Sequence, residues 1–406
     1  MNVLQLAWRY LRARPLGTLL NVLLLALGVA TIGFVRIVDG GIADSLQRNV
    51  RGIDLVVGAK GSPMQLILAG IFHLDAPTGN IPLQAAADLA RDPQVRAVIP
   101  LSLGDSVGGF RIVGTTPDYV PLYAGTYAAG SGWNAPMQAV LGAAVAAQTG
   151  LRTGATFAGT HGLGAGGAAH AAAGYTVTGV LQPTGSVLDR LVLVDLESVW
   201  RVHAAHPPPA EAAGASGPQD LAHDDREVTL LLIRYATPLA AVSLPRRINA
   251  GTALQAASPA QESARLFRMI GAGANVIRAF GAVVLATAAL SLFIALYHAL
   301  NERSYDIAVL RTLGARPATI AVMLMAEALL LALAGGLVGL LLAHGLVGLL
   351  VLWLPVQDSL ALSGRVFATG ELWLLVPALV AAALAALLPC WRAAHADISA
   401  TLARRH

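Results

Sequence analysis

The side chains able to do chemistry are few, and most lie in two places. The first is the stretch Glu302–Arg316. Ile307, Leu310 and Leu313 recur every three residues there and make one apolar face. Glu302, Arg303, Asp306 and Arg311 border it with charge, and Gly314 stands where a left-handed cap would end the helix. Such an amphipathic helix fills a groove on a partner protein or rests on a lipid surface. The second place is a set of histidines: His161, His170, His203, His206 and His223. His203 and His206 have a ligand-like spacing, and neutral imidazole is a zinc ligand. No acid stands at a convincing spacing and the segments are low in complexity. No metal site is therefore assigned, and His203 and His206 remain candidates only. His73 is a further one. His298 and His344 read as satisfied residues inside apolar helices.

Catalysis finds no support. There is no G-x-x-x-x-G-K-[ST] phosphate loop, and the one lysine, Lys60, has Ala59 directly before it. No Gly-x-Ser-x-Gly elbow or His-Glu-x-x-His occurs. The chain is read as a non-enzyme with no cofactor, so any ATP is hydrolysed by a separate subunit. Cys390 is the single cysteine, which rules out an intrachain disulfide.

These residues need elements to carry them, and the composition says which kind. Over 406 residues, apolar types make up 56% and charged types 12%, with a mean hydropathy of +0.64. Soluble domains carry roughly twice that charge, so part of the chain faces lipid. Four stretches are long enough to span: 15–38, 278–301, 319–354 and 371–391, each near the roughly 20 apolar residues that a hydrocarbon core requires. The first is too long for a signal-peptide core and reads as a retained anchor. Residues 1–14, with Leu4, Trp8 and Leu11 on one face, read as an interfacial helix or as an extension of the first span.

Charge orients the spans. Residues 1–14, 302–318 and 392–406 together hold nine arginines against three acids, whereas residues 40–270 hold 15 basic and 16 acidic residues. The positive-inside rule places both termini in the cytoplasm and residues 39–270 outside. The net charge of +4 is thus a topology signal, and no basic–aromatic surface for nucleic acid is visible. Within the third span, Gly335-x-x-x-Gly339 offers a close helix–helix seam, inside the bundle or between two copies. Glu327 is costly in lipid, so it belongs near headgroups or beside an arginine.

The outer region mixes strands and helices. Strand patterns cover Asp54–Gly58, Val95–Leu101, Phe110–Gly114, Tyr175–Leu181, Leu191–Val194 and Glu227–Tyr235. Helical patterns cover Leu83–Arg91, Ala139–Thr149 and Pro259–Ile270. Gly159–Gly174 and His203–Asp225 read as excursions. The fold class is therefore an integral membrane protein of four transmembrane helices, with a large α+β extracytoplasmic domain between helices 1 and 2.

That order, with the residues just quoted, resembles the permeases of the MacB and FtsX superfamily of ABC transporters, which includes the lipoprotein-releasing LolC and LolE proteins. Gln138–Ala146, Leu151, Gly154, Tyr175–Leu181, Thr184-Gly185 and Phe110–Tyr119 look like the MacB-type periplasmic core. Asn301–Arg316, Glu327, Gly335-Gly336, Gly339, Pro389, Arg392–Ala394 and Asp397 look like the FtsX-type region, about 278–400. Ile398 stands where that family has proline. The stretches Val57–Pro63, Phe72–Leu74 and Pro77–Ile81 look peculiar to a subgroup. The resemblance implies a multi-pass protein of the bacterial inner membrane. Its 302–318 loop would be a coupling helix docked on a separate ABC ATPase, with a second permease copy, lipid and a periplasmic adaptor or binding protein as further partners. Movement of the outer domain would then serve export or extraction of lipoprotein, lipid or peptide. The alternatives are an FtsX-like signalling permease that transports nothing and the permease of a zinc-linked system.

Overall fold

The computed structural model describes residues 3–162, 169–205, 226–302, 311–312, 314–353, 367 and 369–395. In chain order the helices are α1 (Val3–Ala13), α2 (Pro15–Val50), α3 (Pro63–Gly70), α4 (Gln84–Ala90), α5 (Tyr119–Leu122), α6 (Ala143–Thr149), α7 (Leu196–Ala205), α8 (Ala240–Gly251), α9 (Pro259–Glu302), α10 (Pro317–Trp353) and α11 (Leu375–Ala394). The strands are β1 (Leu55–Ala59), β2 (Ile81–Pro82), β3 (Val95–Val107), β4 (Phe110–Thr115), β5 (Tyr127–Gly130), β6 (Gln138–Leu141), β7 (Thr156–His161), β8 (Ala169–Leu181), β9 (Leu191–Asp195), β10 (Glu227–Val228), β11 (Leu230–Tyr235) and β12 (Leu254–Ala257). The chain divides into two compact units. One holds residues 1–41, 269–355 and 362–406, the other residues 42–268 and 356–361.

The first unit is a helical bundle. Four helices are long and apolar enough to cross a membrane: α2, α9, α10 and the segment Gly370–Ala394 that contains α11. Residues far apart in sequence fasten α2 to α9. Asp39 pairs with Arg278, Arg14, just before α2, pairs with Glu302, and Ser291 donates to Asn21 Oδ1 at 3.1 Å. Small residues let the helices close. A Cβ on Gly281 would stand 2.8 Å from Ile32 of α2, and one on Gly336 would stand 2.6 Å from Leu375 of α11. On α11, Ala378, Ala382 and Ala386 are buried one turn apart, the spacing that keeps one face inward. The chain breaks at Arg14, so α1 is a separate helix rather than an extension of the first span. It packs on α10. Its inward residues are Ala7 and Leu11, whereas Trp8 is exposed beneath the Arg12 guanidinium.

The second unit is α+β. Ten strands form one sheet in the order β12-β1-β11-β3-β4-β9-β6-β8-β5, with β7 paired to β3 and β8; β10 and β2 make a separate pair. Strands form over all six stretches with strand patterns. The Ala139–Thr149 helix is corrected: β6 occupies Gln138–Leu141 and only Ala143–Thr149 is helical. Gly142 forces the break. A Cβ there would stand 2.3 Å from Leu188 O and 2.4 Å from Asp189 O, so the chain can turn only because it has none. Apolar clusters fill both faces of the sheet. Leu46 from the end of α2 belongs to one of them, and Asn49 Oδ1 accepts from Val187 N at 2.8 Å.

Candidate functional site

The Glu302–Gly314 stretch is the first candidate. Glu302 ends α9 and is ion-paired with Arg14, with both side chains about half exposed. A pair that wet is worth about 1 kcal/mol or less. Arg311 is helical, and Gly314 has φ +97°, a backbone region that favours glycine. Arg303, Asp306, Ile307, Leu310 and Leu313 lie outside the described residues.

Gly335 and Gly339 are placed fully. A Cβ on Gly335 would stand 2.6 Å from Leu25 Cβ. One on Gly339 would stand 2.6 Å from Ala26 O and 2.8 Å from Val29 Cβ. Both glycines lie against α2 of the same chain. Glu327 is buried on the same helix and is engaged by a neighbour. His344 meets Glu371 Oε2 at 2.7 Å and lies against Phe367, ring centroids 3.8 Å apart. Sequence reasoning expected His344 to be satisfied but missed Glu371, which sits at the border of the fourth span, 27 residues further on.

Of the histidine candidates, His203 ends α7. Its Nδ1 lies 2.8 Å from Val199 O, which can only accept, so Nδ1 carries the proton. His206 and His223 lie outside the described residues, as do the side chains of His161 and His170. Among the described residues no group of three His, Cys, Asp or Glu side chains is placed to hold a metal ion.

The Val57–Pro63 and Pro77–Ile81 stretches form a structural clasp. Ser62 caps α3, accepting from Gln65 N, and Pro63 sits in its first turn. Gln65 donates to Ala76 O, and Thr78 donates to Ala59 O. Lys60 donates to Asn249 O at 2.7 Å. Under the clasp lies His73, with φ +53°, its Nε2 3.1 Å from the Tyr119 hydroxyl. Arg111, also buried, donates to Asp75 O at 3.1 Å. Burial, reinforced by the Arg111 charge, lowers the His73 pKa from 6.5 to about 3. Burial likewise raises the Tyr119 and Tyr123 hydroxyls well above their ordinary range.

This sets a pH dependence. Between pH 6.5 and 3 the unfolded chain protonates His73 and the folded chain does not, so stability falls as pH falls through that window. At pH 5 the loss is on the order of 2 kcal/mol relative to pH 7.5. His73→Asn, which tolerates the left-handed backbone, removes the titration. Thermal unfolding at pH 7.5 and 5.0 should show a smaller drop in Tm for the variant. An equal drop in both proteins would mean that His73 is not the titrating group.

Two family models match the chain. The FtsX-like permease C-terminal model covers residues 278–398, and the MacB-like periplasmic core domain model covers residues 18–213. Among solved structures, the periplasmic region of MacB from Actinobacillus actinomycetemcomitans shares 10% identity over 54% of this chain and 97% of its own, with a TM-score of 0.33. The extracellular domain of the noncanonic ABC-type transporter YknZ from Gram-positive bacteria shares 11% identity over 50% of this chain and 98% of its own, with a TM-score of 0.29. No curated protein matches the chain.

Proposed function

The chain belongs to the MacB/FtsX superfamily of ABC-transporter permeases, and on that premise we propose that it couples ATP hydrolysis by a separate ATPase to movements of its outer domain. The observation that carries this reading is the order of parts. One span enters a MacB-like core domain, and three further spans fall within the FtsX-like region. ATP binding closes two ATPase subunits, which pull on the 302–318 coupling helices of two permease copies. The pull is passed to the outer domain by α2 and α9, the helices that precede and follow it in the chain. The cargo is an envelope substrate such as a lipoprotein, a lipid or a peptide, handled outside the membrane. The test is reconstitution with the cognate ATPase in lipid. Hydrolysis should rise on adding the permease and respond to changes in its outer domain; hydrolysis unaffected by the permease would overturn the coupling.

The reading places the protein in the inner membrane with both termini in the cytoplasm. The support is the charge split between the loops. With Cys390 replaced by alanine, cysteines introduced at Ser131 and Ser216 should react with a membrane-impermeant maleimide on cells with a permeabilised outer membrane. Labelling that appears only after lysis would reverse the topology.

A further inference from the structure

Three helices bring cationic and aromatic side chains to one end of the membrane bundle. Leu11 of α1 lies in one apolar cluster with Ile320 of α10 and with Cys390 and Ala393 of α11. Arg12 follows Leu11 in the chain, and Arg392 stands between Cys390 and Ala393. Arg14 reaches Glu302, the last residue of α9, so that helix ends here too.

Helix α1 divides its two faces sharply. Ala7 and Leu11, four residues apart, are buried on α10. Gln5, Trp8, Arg9 and Arg12 are exposed. Protein already covers the apolar stripe, and the face left over is basic and aromatic. Residues 1–38 contain four arginines and no acid. Arg14 has Glu302, whereas neither Arg9 nor Arg12 has an ion pair or a side-chain hydrogen bond among the described residues.

Two of the arginines are built alike. The Arg12 guanidinium lies over the Trp8 ring, 5.0 Å from its centroid, and that of Arg392 lies over the Tyr297 ring at 5.2 Å. A ring takes the flat face of a guanidinium and steadies it, while the N–H donors lie in the plane and stay open at the edge. Arg392 gives one of them to the Tyr297 hydroxyl. Such forks match the paired oxygens of a phosphate. Each site also has an exposed tryptophan next in sequence to an arginine, Trp8 before Arg9 and Trp391 before Arg392. Tryptophan at the end of a spanning helix sits at the level of the lipid headgroups.

We propose that this end of the bundle binds the headgroups of anionic phospholipids. Arg9 and Arg12 of α1 and Arg392 of α11 hold the phosphates, and Trp8 and Trp391 sit between headgroup and acyl chain. A zwitterionic headgroup carries its own cation beside the phosphate, so it is the weaker partner for three arginines. Inorganic phosphate offers the same oxygens but no chain for the tryptophans. The inference stands whether or not the chain is coupled to an ATPase.

The experiment uses the full-length permease, purified in a neutral detergent and stripped of lipid. Phosphatidylglycerol or phosphatidylcholine is titrated in, and retained lipid is counted by native mass spectrometry. Wild type should retain phosphatidylglycerol at the lower concentration, and added salt should weaken that binding. An arginine near an anionic surface strengthens binding about 5-fold, so the double variant Arg9→Gln, Arg12→Gln should need roughly 20-fold more phosphatidylglycerol. Arg392→Gln, on another helix, should need about 5-fold more. Arg246→Gln, which removes an exposed arginine from the outer domain, should match wild type. Unfolding in lipid-free detergent, the folding control, should be the same for all four proteins. The proposal is overturned if the double variant and Arg392→Gln retain phosphatidylglycerol as wild type does, or if wild type retains phosphatidylcholine equally well. Displacement of the lipid by millimolar inorganic phosphate would reduce the site to one for a free anion. A double variant that keeps its lipid and loses the cognate ATPase would make this face a protein contact instead.

Discussion

Leu310→Asp releases the ATPase from a permease that still inserts and folds. In the proposed coupling helix, Leu310 lies at the centre of the apolar face, between Ile307 and Leu313. Removing a buried leucine contact costs about 2–5 kcal/mol in a core, and an unpaired buried carboxylate adds to that. Even the lower figure corresponds to roughly 30-fold in affinity. Arg303→Ala should do much less, since a rim charge is worth about 1 kcal/mol or less. Glu302→Ala is a second comparison, because Glu302 is turned to Arg14 of the same chain. The measurement is recovery of the cognate ATPase with the tagged permease, with membrane yield as the folding control. Wild-type recovery and hydrolysis in Leu310→Asp would remove this loop as the docking element.

Gly339→Leu has the second large effect, and here the chain itself is the target. The atom in the way is Ala26 O, 2.6 Å from the new Cβ, with Val29 Cβ at 2.8 Å. Main chain cannot swing aside as a long side chain can, so α2 and α10 must part along the seam. Overpacking typically costs about 1–3 kcal/mol and sometimes more. Separating the helices also strips van der Waals contact that lipid replaces poorly. Gly345→Leu is the control: it lies on the same helix, exposed, with nothing within 4 Å of its Cβ. Unfolding of the purified protein in a graded detergent mixture should show Gly339→Leu failing early and Gly345→Leu near wild type. Matching curves for the two would sink the α2–α10 seam.

The spans were legible because an uncharged run of that length has few other places to go. Which helix meets which was not legible. Gly335 and Gly339 advertise a close approach by their spacing, but nothing in a linear pattern says that Leu25 and Ala26 are the neighbours. The outer strands rich in valine, isoleucine and leucine were visible as alternations. Strand β6 was not, because Gln138-Ala-Val-Leu runs into an alanine-rich helix and a short apolar run suits either state. Only the carbonyls packed on Gly142 divide it. His203 was weighed with His206, its neighbour in sequence, whereas in space it lies against Gly104 of β3.

The long-range fastening of the first span bears on how the protein is made. Asn21 finds Ser291 only 270 residues later, and the glycines that close on Leu25 and Ala26 come later still. At roughly 5–20 residues per second of synthesis, α2 waits for about 15 to 50 s with its polar amide turned only on its own helix, where Asn21 donates to Gly17 O at 2.9 Å. In the proposed topology the entire outer domain is threaded across the membrane during that interval. The first span must therefore enter and stay on its own hydrophobicity, and Leu16, Leu19, Leu20, Leu23 and Leu27 stand exposed on it to meet lipid.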